Sequence, residues 1–386
     1  MFIERKIAPI VKYAGKKFPI VSLTGPRQSG KTTLLQNVFP DKPYVTLEDP
    51  GTRAYVAADP RDFLNQYPKG VIIDEAQHVP ELFSYIQTES DKRNKPGQFI
   101  LSGSQNFLMN DKISQSLAGR VAVLKLLPFS IDELKATGKL KSNVYANMVY
   151  GFYPRLFERN IRPQLFYSSY YETYLTRDFR QLKNLGDLST FQKFIQLCAG
   201  YSGQLVNLSS LANDTGVAVN TVKAWLSLLE ASYIIFLLKP YRKSFNKRLV
   251  AAPKLYFWDT GLASFFLGIK DWQMLKSSHM RGALFENFVV AEIGKYYFNQ
   301  GQLPGMYFWR DKTNNEVDCI VENGKKVEAV EIKSGTTLNT DFFKGLLYWK
   351  RLSGKSDLNL VYGGASNQMR NGIRILNWES IHDILK

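Results

Sequence analysis

The sequence predicts a three-part α/β chain: a parallel, three-layer α/β domain over residues 1–160, a helical and helix-turn-helix domain over 161–279, and a second α/β domain over 280–386. Three observations predict it. Apolar, strand-like runs alternate with helical stretches from residue 20 to 127, and each run ends in polar residues, as in parallel sheets that collect ligands at the carboxyl ends of their strands. Two helical patterns meet at Gly216 and are followed by two short apolar runs that flank a basic stretch. Near the end of the chain, Asn323-Gly324 separates two alternating runs, which is a hairpin signal.

In the first domain Ile20–Leu23 reads as a strand, Thr33–Phe39 as a helix, and between them stands Gly25-Pro26-Arg27-Gln28-Ser29-Gly30-Lys31-Thr32. This is the G-x-x-x-x-G-K-[ST] phosphate loop in its strand–loop–helix setting. Its glycines let backbone N–H groups close on phosphate oxygens, and the helix that follows adds its positive end. Residues Gly25 to Thr33 are therefore the expected nucleotide contacts, with Lys31 reaching the β- and γ-phosphates and Thr32 ligating Mg²⁺. Tyr44-Val-Thr-Leu-Glu48-Asp49 reads as a second strand. Gly70-Val-Ile-Ile-Asp74-Glu75 reads as a third, ending in two acids: Asp74 for the water shell of the metal and Glu75 to polarise an attacking water. Gln98–Ser102 is a fourth, whose polar tip, with Ser104 and Gln105, fits between these carboxylates and a γ-phosphate. Val121–Leu127 is the fifth.

In the middle domain the aromatic-rich stretch Pro163–Arg180 is helical in pattern, and it fits either a lid over the nucleotide or the start of the next domain. From Asn207 to Glu230 the pattern is helix, turn, helix: Ser209 is placed to cap the first helix, Gly216 to make the turn, and Asn220 to cap the second. Val222, Trp225, Leu226 and Leu229 then recur at helical spacing and read as core. Tyr233–Leu238 and Lys254–Asp259 read as two strands, and residues 239–254 hold six Lys or Arg and no acid. A basic hairpin after the second helix is a wing, with Lys223, Arg242, Lys243, Lys247 and Arg248 as the expected contacts to DNA phosphates. Such modules also dock proteins, which is the alternative reading.

In the third domain a helix over Arg281–Glu292 and a strand over Tyr307–Arg310 precede the run Glu316–Lys333. With Asn323 and Gly324 as the turn, Glu322 faces Lys325, Asp318 faces Ala329 and Glu316 faces Glu331. Asp318, Glu331 and Lys333 then share a face, with the first two diagonal neighbours roughly 7 Å apart and able to bridge one Mg²⁺. The like-charge pair Glu316/Glu331 calls for a cation or Lys333 to relieve it. A charged, solvated hairpin is the plainer alternative.

Composition narrows the function classes. The chain has 386 residues, 45% of them hydrophobic, which fits packed cores and excludes a disordered chain. Two distant cysteines, Cys198 and Cys319, and three scattered histidines give neither a disulfide scaffold nor a zinc site, and no run is long enough to span a membrane. A charged N-terminus argues against a signal peptide, so the expectation is a soluble, cytoplasmic protein with no membrane partner. The net charge of +16 divides as +7, +7 and +2 over the three domains and points to a polyanionic partner.

The order of phosphate loop, extra strand, Asp-Glu strand and polar-tipped strand resembles the AAA+ and related P-loop ATPases with a catalytic glutamate. Within these, YVTLEDP, IDEAQ, LSGSQ, SLAGR and PFS closely resemble bacterial and archaeal ATPases that carry a nuclease-like C-terminal domain of unassigned function. LSLLEASYI and PKLYFWDTGLASFFLG carry the resemblance over most of the chain. It implies that ATP, with Mg²⁺, is bound and hydrolysed. It also implies that Ser104 or Gln105 stands at the sensor position, and that Arg120 acts on the γ-phosphate either in cis or from a neighbouring copy in a homo-oligomer. A surface salt bridge is the alternative for Arg120.

Asp318, Glu331 and Lys333 resemble the D…E-x-K arrangement of the PD-(D/E)xK nucleases. There the carboxylates hold Mg²⁺, the lysine positions water or stabilises charge, and Glu286 in the preceding helix would be a further metal-side acid. The expected function is an ATP-dependent DNA-processing protein. The alternatives are a nucleotide-switched binder with an inert nuclease-like domain and an ATPase that remodels a protein partner.

Overall fold

The computed structural model describes residues 3–104, 117–176, 187–241, 252–324, 326–354 and 356–385. The chain forms two compact units: Met1–Phe129 with Ala231–Tyr233 and Tyr297–Gln302, and Ser130–Glu230 with Ile234–Tyr296 and Leu303–Lys386. The boundaries expected near 160 and 280 both fall within the second unit.

The first unit is built on a parallel sheet of β1 (Ile20–Thr24), β2 (Tyr44–Thr46), β3 (Val71–Asp74), β4 (Phe99–Gly103) and β5 (Val121–Lys125), in the order β2-β3-β4-β1-β5. Alternation along each strand feeds two cores. Ile20, Val71, Ile73, Phe99 and Leu101 pack on one side with Leu82, Phe83 and Ile86 of the helix Leu82–Arg93. Val21, Leu23, Ile72 and Ile100 pack on the other with Ile7, Val11, Leu34 and Leu35. This is why the strand sequences read as continuous apolar runs: both faces are covered.

In the second unit, the helix Pro163–Tyr170 continues into a wider helical turn, Tyr171–Leu175. Tyr167 donates to Asp259 Oδ1 at 2.6 Å, and Tyr153, Phe166 and Tyr170 cluster around it. The described part of this aromatic stretch therefore belongs to the second unit. The helices Leu208–Thr215 and Val219–Ala231 flank Gly216 (φ 76°), and β6 (Ile235–Leu238) then pairs antiparallel with β7 (Lys254–Phe257). The cap of the first helix is Asn207, whose Oδ1 accepts from Ser210 N at 3.1 Å, so Ser209 lies inside the helix. Asn220 likewise falls in the first turn of a helix that starts at Val219. Trp225 packs against Phe191 and Phe194, and Lys223 is exposed. Arg242, Lys243, Lys247 and Arg248 lie outside the described residues.

The C-terminal sheet is mixed, in the order β12-β13-β11-β10-β9-β8, from β8 (Met306–Arg310), β9 (Glu316–Asn323), β10 (Lys326–Lys333), β11 (Asp357–Tyr362), β12 (Gln368–Arg370) and β13 (Ile373–Asn377). The helix Lys344–Ser353 covers one face through Leu346 and Trp349, which pack with Val317, Ile320, Ala329 and Leu360. The β9–β10 register differs from the expected one. Asn323 pairs with Lys326, Glu322 with Val327 and Ala329 with Ile320, a register two residues away from the expected one. A slip of two keeps every side chain on its face, whereas a slip of one would have inverted them. Continued one step past Val330↔Cys319, the register sets Asp318 directly opposite Glu331, and Glu316 no longer faces Glu331.

His382 is buried, with Nδ1 2.7 Å from Asp132 Oδ2. Beside it Glu292 accepts from Ile131 N at 2.8 Å and from Lys295 Nζ at 2.7 Å. Burial opposes the imidazolium, but Asp132 and Glu292 outweigh it and raise the imidazole above its ordinary 6.5. Because the folded value is raised, this stabilisation is complete below 6.5 and is lost as pH rises through the higher folded value. Thermal denaturation across that range is expected to show a fall in stability that Asp132→Asn removes; an identical profile in the variant overturns the assignment.

Candidate functional site

The phosphate loop leaves β1 at Thr24. A Cβ at Gly25 would collide with the Leu126 carbonyl oxygen, and Gly30 (φ 90°) opens the helix Lys31–Val38 from the left-handed region that favours glycine. Beneath the loop, the buried Arg5 donates to Ser29 O at 2.7 Å and Leu127 O at 2.6 Å, with its guanidinium over the Phe129 ring. Thr24 Oγ1 lies 2.6 Å from the hydroxyl of Tyr233, a buried residue at φ 57°. Lys31 curls onto its own loop, donating to Gly25 O at 3.0 Å and Pro26 O at 2.9 Å. Burial lowers its pKa, against the pull of Glu75 and Asp74. Arg27 pairs with Glu48 at 3.4 Å, Gln28 adopts φ 61°, and Thr33 is exposed. The Ser29 hydroxyl is buried with no hydrogen-bond partner among the described residues, as a group facing an absent phosphate would be.

At the ends of β3 and β4 the polar tips converge. Asp74 Oδ2 accepts from Thr32 Oγ1 at 2.8 Å and from the Tyr44 hydroxyl at 2.7 Å, while Ser102 donates to Oδ1. These hard oxygen donors fit Mg²⁺, with Thr32 and Asp74 as the holding pair. Glu75 is a buried non-glycine residue at φ 52°, and its carboxylate accepts from Gln77 and, at 3.1 Å, from Ser104 Oγ. Ser104 thus contacts the acid expected to polarise water; Gln105 lies outside the described residues. Ser102 is the expected polar tip of its strand, whereas Arg5, Tyr44 and Gln77 were not expected here. Tyr44 and Gln77 sit in the quoted motifs, and nothing in the local sequence of Arg5 marks it.

Arg120 is not brought to the phosphate loop of its own chain. It precedes β5, its carbonyl accepts from Ile20 N, and its exposed guanidinium pairs with Asp91, Nη2 to Oδ2 at 2.9 Å. The loop leaves the other end of β1, roughly 16 Å away along five residues of strand. The cis role is therefore corrected to a surface ion pair, because parallel pairing holds Arg120 at the amino edge of the sheet.

In the second unit Glu286, Glu316, Asp318 and Glu331 line a cavity of about 530 Å³ with Lys254, Arg310 and Lys333. Lys333 Nζ lies 2.6 Å from Glu331 Oε1 and 3.5 Å from Asp318 Oδ2, which also accepts from Ile332 N at 2.8 Å. Glu331 is pushed up to about 8 by burial first and then by Asp318, against the pull of Lys333. Burial opposes the charge on Lys333, yet the same two carboxylates raise it. Glu331 Oε2 is buried without a partner among the described residues.

Two carboxylates and an orphaned oxygen suit a Mg²⁺ that keeps most of its waters. A third acid is not free to join. Glu286 Oε1 accepts from Lys254 at 2.9 Å and from the Tyr256 hydroxyl at 2.6 Å, and Lys254 also pairs with Glu316. Among the described residues no group of three acids, histidines or cysteines is arranged to hold a metal. The metal role expected of Glu286 finds no three-ligand arrangement among the described residues, and its Oε1 is held by Lys254 and Tyr256.

Three family models match consecutive segments: an AAA domain over residues 17–135, a domain of unknown function (DUF8612) over 142–273 and another (DUF4143) over 281–381. With the loop geometry above, the first unit defines the class: this is an AAA-type P-loop protein with an ATP-binding domain. The chain belongs to the family of the uncharacterized protein Rv2008c of Mycobacterium tuberculosis, to which it is 31% identical over 340 residues, 87% of this chain and 75% of that one. An uncharacterized protein of Haemophilus influenzae is 22% identical over 295 residues, 72% of this chain and 69% of that one. Among solved structures, the Walker-type ATPase PABY2304 of Pyrococcus abyssi matches 69% of this chain and 96% of its own at 14% identity, with a TM-score of 0.48. No helix among the described residues is long and apolar enough to cross a membrane.

Proposed function

We propose that this protein hydrolyses ATP, binds DNA, and cleaves phosphodiesters at the acid cavity of its C-terminal domain. In the first unit Lys31 leaves its own loop carbonyls for the β- and γ-phosphates, and Ser29 gains the partner it lacks. Glu75, held by Gln77 and Ser104, orients a water for attack. Thr32 and Asp74 would hold Mg²⁺, which when bound would supply charge neutralisation on the phosphates. DNA as the partner is supported by the helix–turn–helix pair with its antiparallel hairpin, which reads as a winged helix, and by the charge excess.

The observation that carries the cleavage reading is the convergence of Asp318, Glu331 and Lys333 on one cavity wall, with one carboxylate oxygen unpartnered. Asp318 and Glu331 would hold Mg²⁺, which activates water and polarises phosphate. Lys333 neutralises both carboxylates and stays close enough to steady charge on the departing oxygen. The second reading, an inert domain on a nucleotide-switched binder, is favoured by one observation: Lys254 already supplies a cation there.

Incubating wild type, Asp318→Asn and Lys333→Ala with single-stranded, duplex and branched DNA in Mg²⁺ or Mn²⁺ tests the choice. Cleavage by the wild type that falls at least a hundredfold in both variants is expected, in line with losing one preorganised charge at a reacting centre. Salt-dependent DNA binding with no strand breaks establishes the inert reading instead.

A further inference from the structure

A second cavity of the same unit, of about 460 Å³, is lined by Tyr145, Trp272, Lys276, Arg281, the threonines 336 and 337, and other residues that include no acid. Resting on the reading that this domain acts on DNA, we propose that this cavity is a nucleotide subsite for single-stranded DNA beside the acid cavity. Its volume lies within the range of ligand pockets, ~300–1,000 Å³.

Charge comes first. Lys276 and Arg281 are exposed, and neither meets a carboxylate among the described residues. Arg281 is instead fixed by donating to the Lys276 carbonyl at 3.2 Å, which keeps the two cations together at the cavity. Two adjacent, uncompensated cations in a cavity with no acid select an anion. The threonine hydroxyls and Ser142 add neutral donors suited to phosphate and sugar oxygens. Trp272, 37% exposed in the short helix Trp272–Ser277, adds an indole that is not consumed by the core. An aromatic surface beside cations is the pairing that holds unstacked bases, which a duplex does not present.

A short stretch of chain links the two cavities. Lys333 lines the acid cavity, and Gly335, two residues on, lines the cationic one, no more than about 7 Å further along the chain. That segment is pinned from both sides. The Tyr145 hydroxyl donates to Ser334 O at 2.7 Å, and Gly363 N donates to Lys333 O and to Gly335 O, each at 3.1 Å. Gly363 has to be a glycine for this approach, since a Cβ would press on the Ser334 carbonyl oxygen. A strand with one nucleotide in the cationic cavity would thus run past Lys333, Asp318 and Glu331.

The test is fluorescence anisotropy of a labelled single-stranded oligothymidylate, and of a duplex of equal length, on the full chain over a salt series. Trp272→Ala is expected to weaken single-strand binding roughly tenfold, and Trp272→Phe to keep most of it. The double variant Lys276→Ala/Arg281→Ala is expected to weaken it and to flatten the log–log salt slope by about 1.4, for two lost phosphate contacts. All three substituted positions are exposed, and an unchanged thermal midpoint establishes folding. Wild-type affinity and slope in both the Ala and the double variants overturn the subsite while leaving the DNA reading in place. Equal losses in Trp272→Phe and Trp272→Ala overturn the stacking role. No affinity of the wild type for either DNA overturns the DNA reading and the subsite together.

Discussion

Glu75→Gln is expected to lower ATP turnover by about 10²–10⁴-fold while ATP affinity is retained. The amide keeps the size of the side chain and its ability to accept from Ser104, but it no longer draws a proton from water. The backbone argues for function at this position: a buried, non-glycine residue in the left-handed region is strained, and its carboxylate is close enough to act on the charge of Lys31 in the phosphate loop. Phosphate release and equilibrium nucleotide binding, measured together, separate the two roles. Lys31→Ala is the contrasting variant, expected to lose affinity as well as turnover, because its ammonium is the charge proposed to meet the phosphates. Turnover in Glu75→Gln equal to that of the wild type would place the water-activating group elsewhere.

The second large effect concerns Lys254. Its ammonium is almost wholly buried between Glu286 and Glu316, and truncation to alanine leaves the half-buried Glu286 without its counter-charge and Glu316 with Arg310 alone. Removing one partner of a buried ion pair costs about 3–5 kcal/mol, which lowers the thermal midpoint by roughly 10 °C in a unit of this size. The informative measurement is the same denaturation with millimolar Mg²⁺ or Mn²⁺. If the cavity takes a divalent cation once the ammonium is gone, the metal restores part of the lost midpoint in Lys254→Ala and not in Lys254→Ala/Asp318→Asn. A midpoint indifferent to metal in both would count against cleavage and for the inert reading. Lys254 closes the basic stretch and begins the strand, so the residue that neutralises the acids is joined covalently to the expected DNA-contacting segment.

Much of the first unit was legible because its signals are local. A phosphate loop is a contiguous string with fixed backbone demands, and β-strands covered on both faces announce themselves as apolar runs. The Asp318, Glu331 and Lys333 constellation was legible for a different reason. Side chains alternate with a period of two, so a hairpin read two residues out of register still keeps the three on one face. What failed was distance and partner. The expected diagonal across the hairpin became a directly opposed pair, and the relief expected for Glu316 came from Lys254 and Arg310.

The sequence by itself picked out the candidate residues: the loop from Gly25 to Thr33, the acids at 74 and 75, and the two acids and lysine of the hairpin. Only the tertiary structure decided which of them meet. It held Arg120 at the amino edge of the sheet, away from its own phosphate loop, and set Arg5 beneath that loop across 122 residues of chain to Leu127. It put Lys254 against Glu286 and Glu316, and gathered Lys276 and Arg281 into a cavity without an acid. Periodicity specifies the face on which a side chain stands. Which distant groups face it depends on strand order and helix packing, and these are set by the burial of whole faces rather than by any local string.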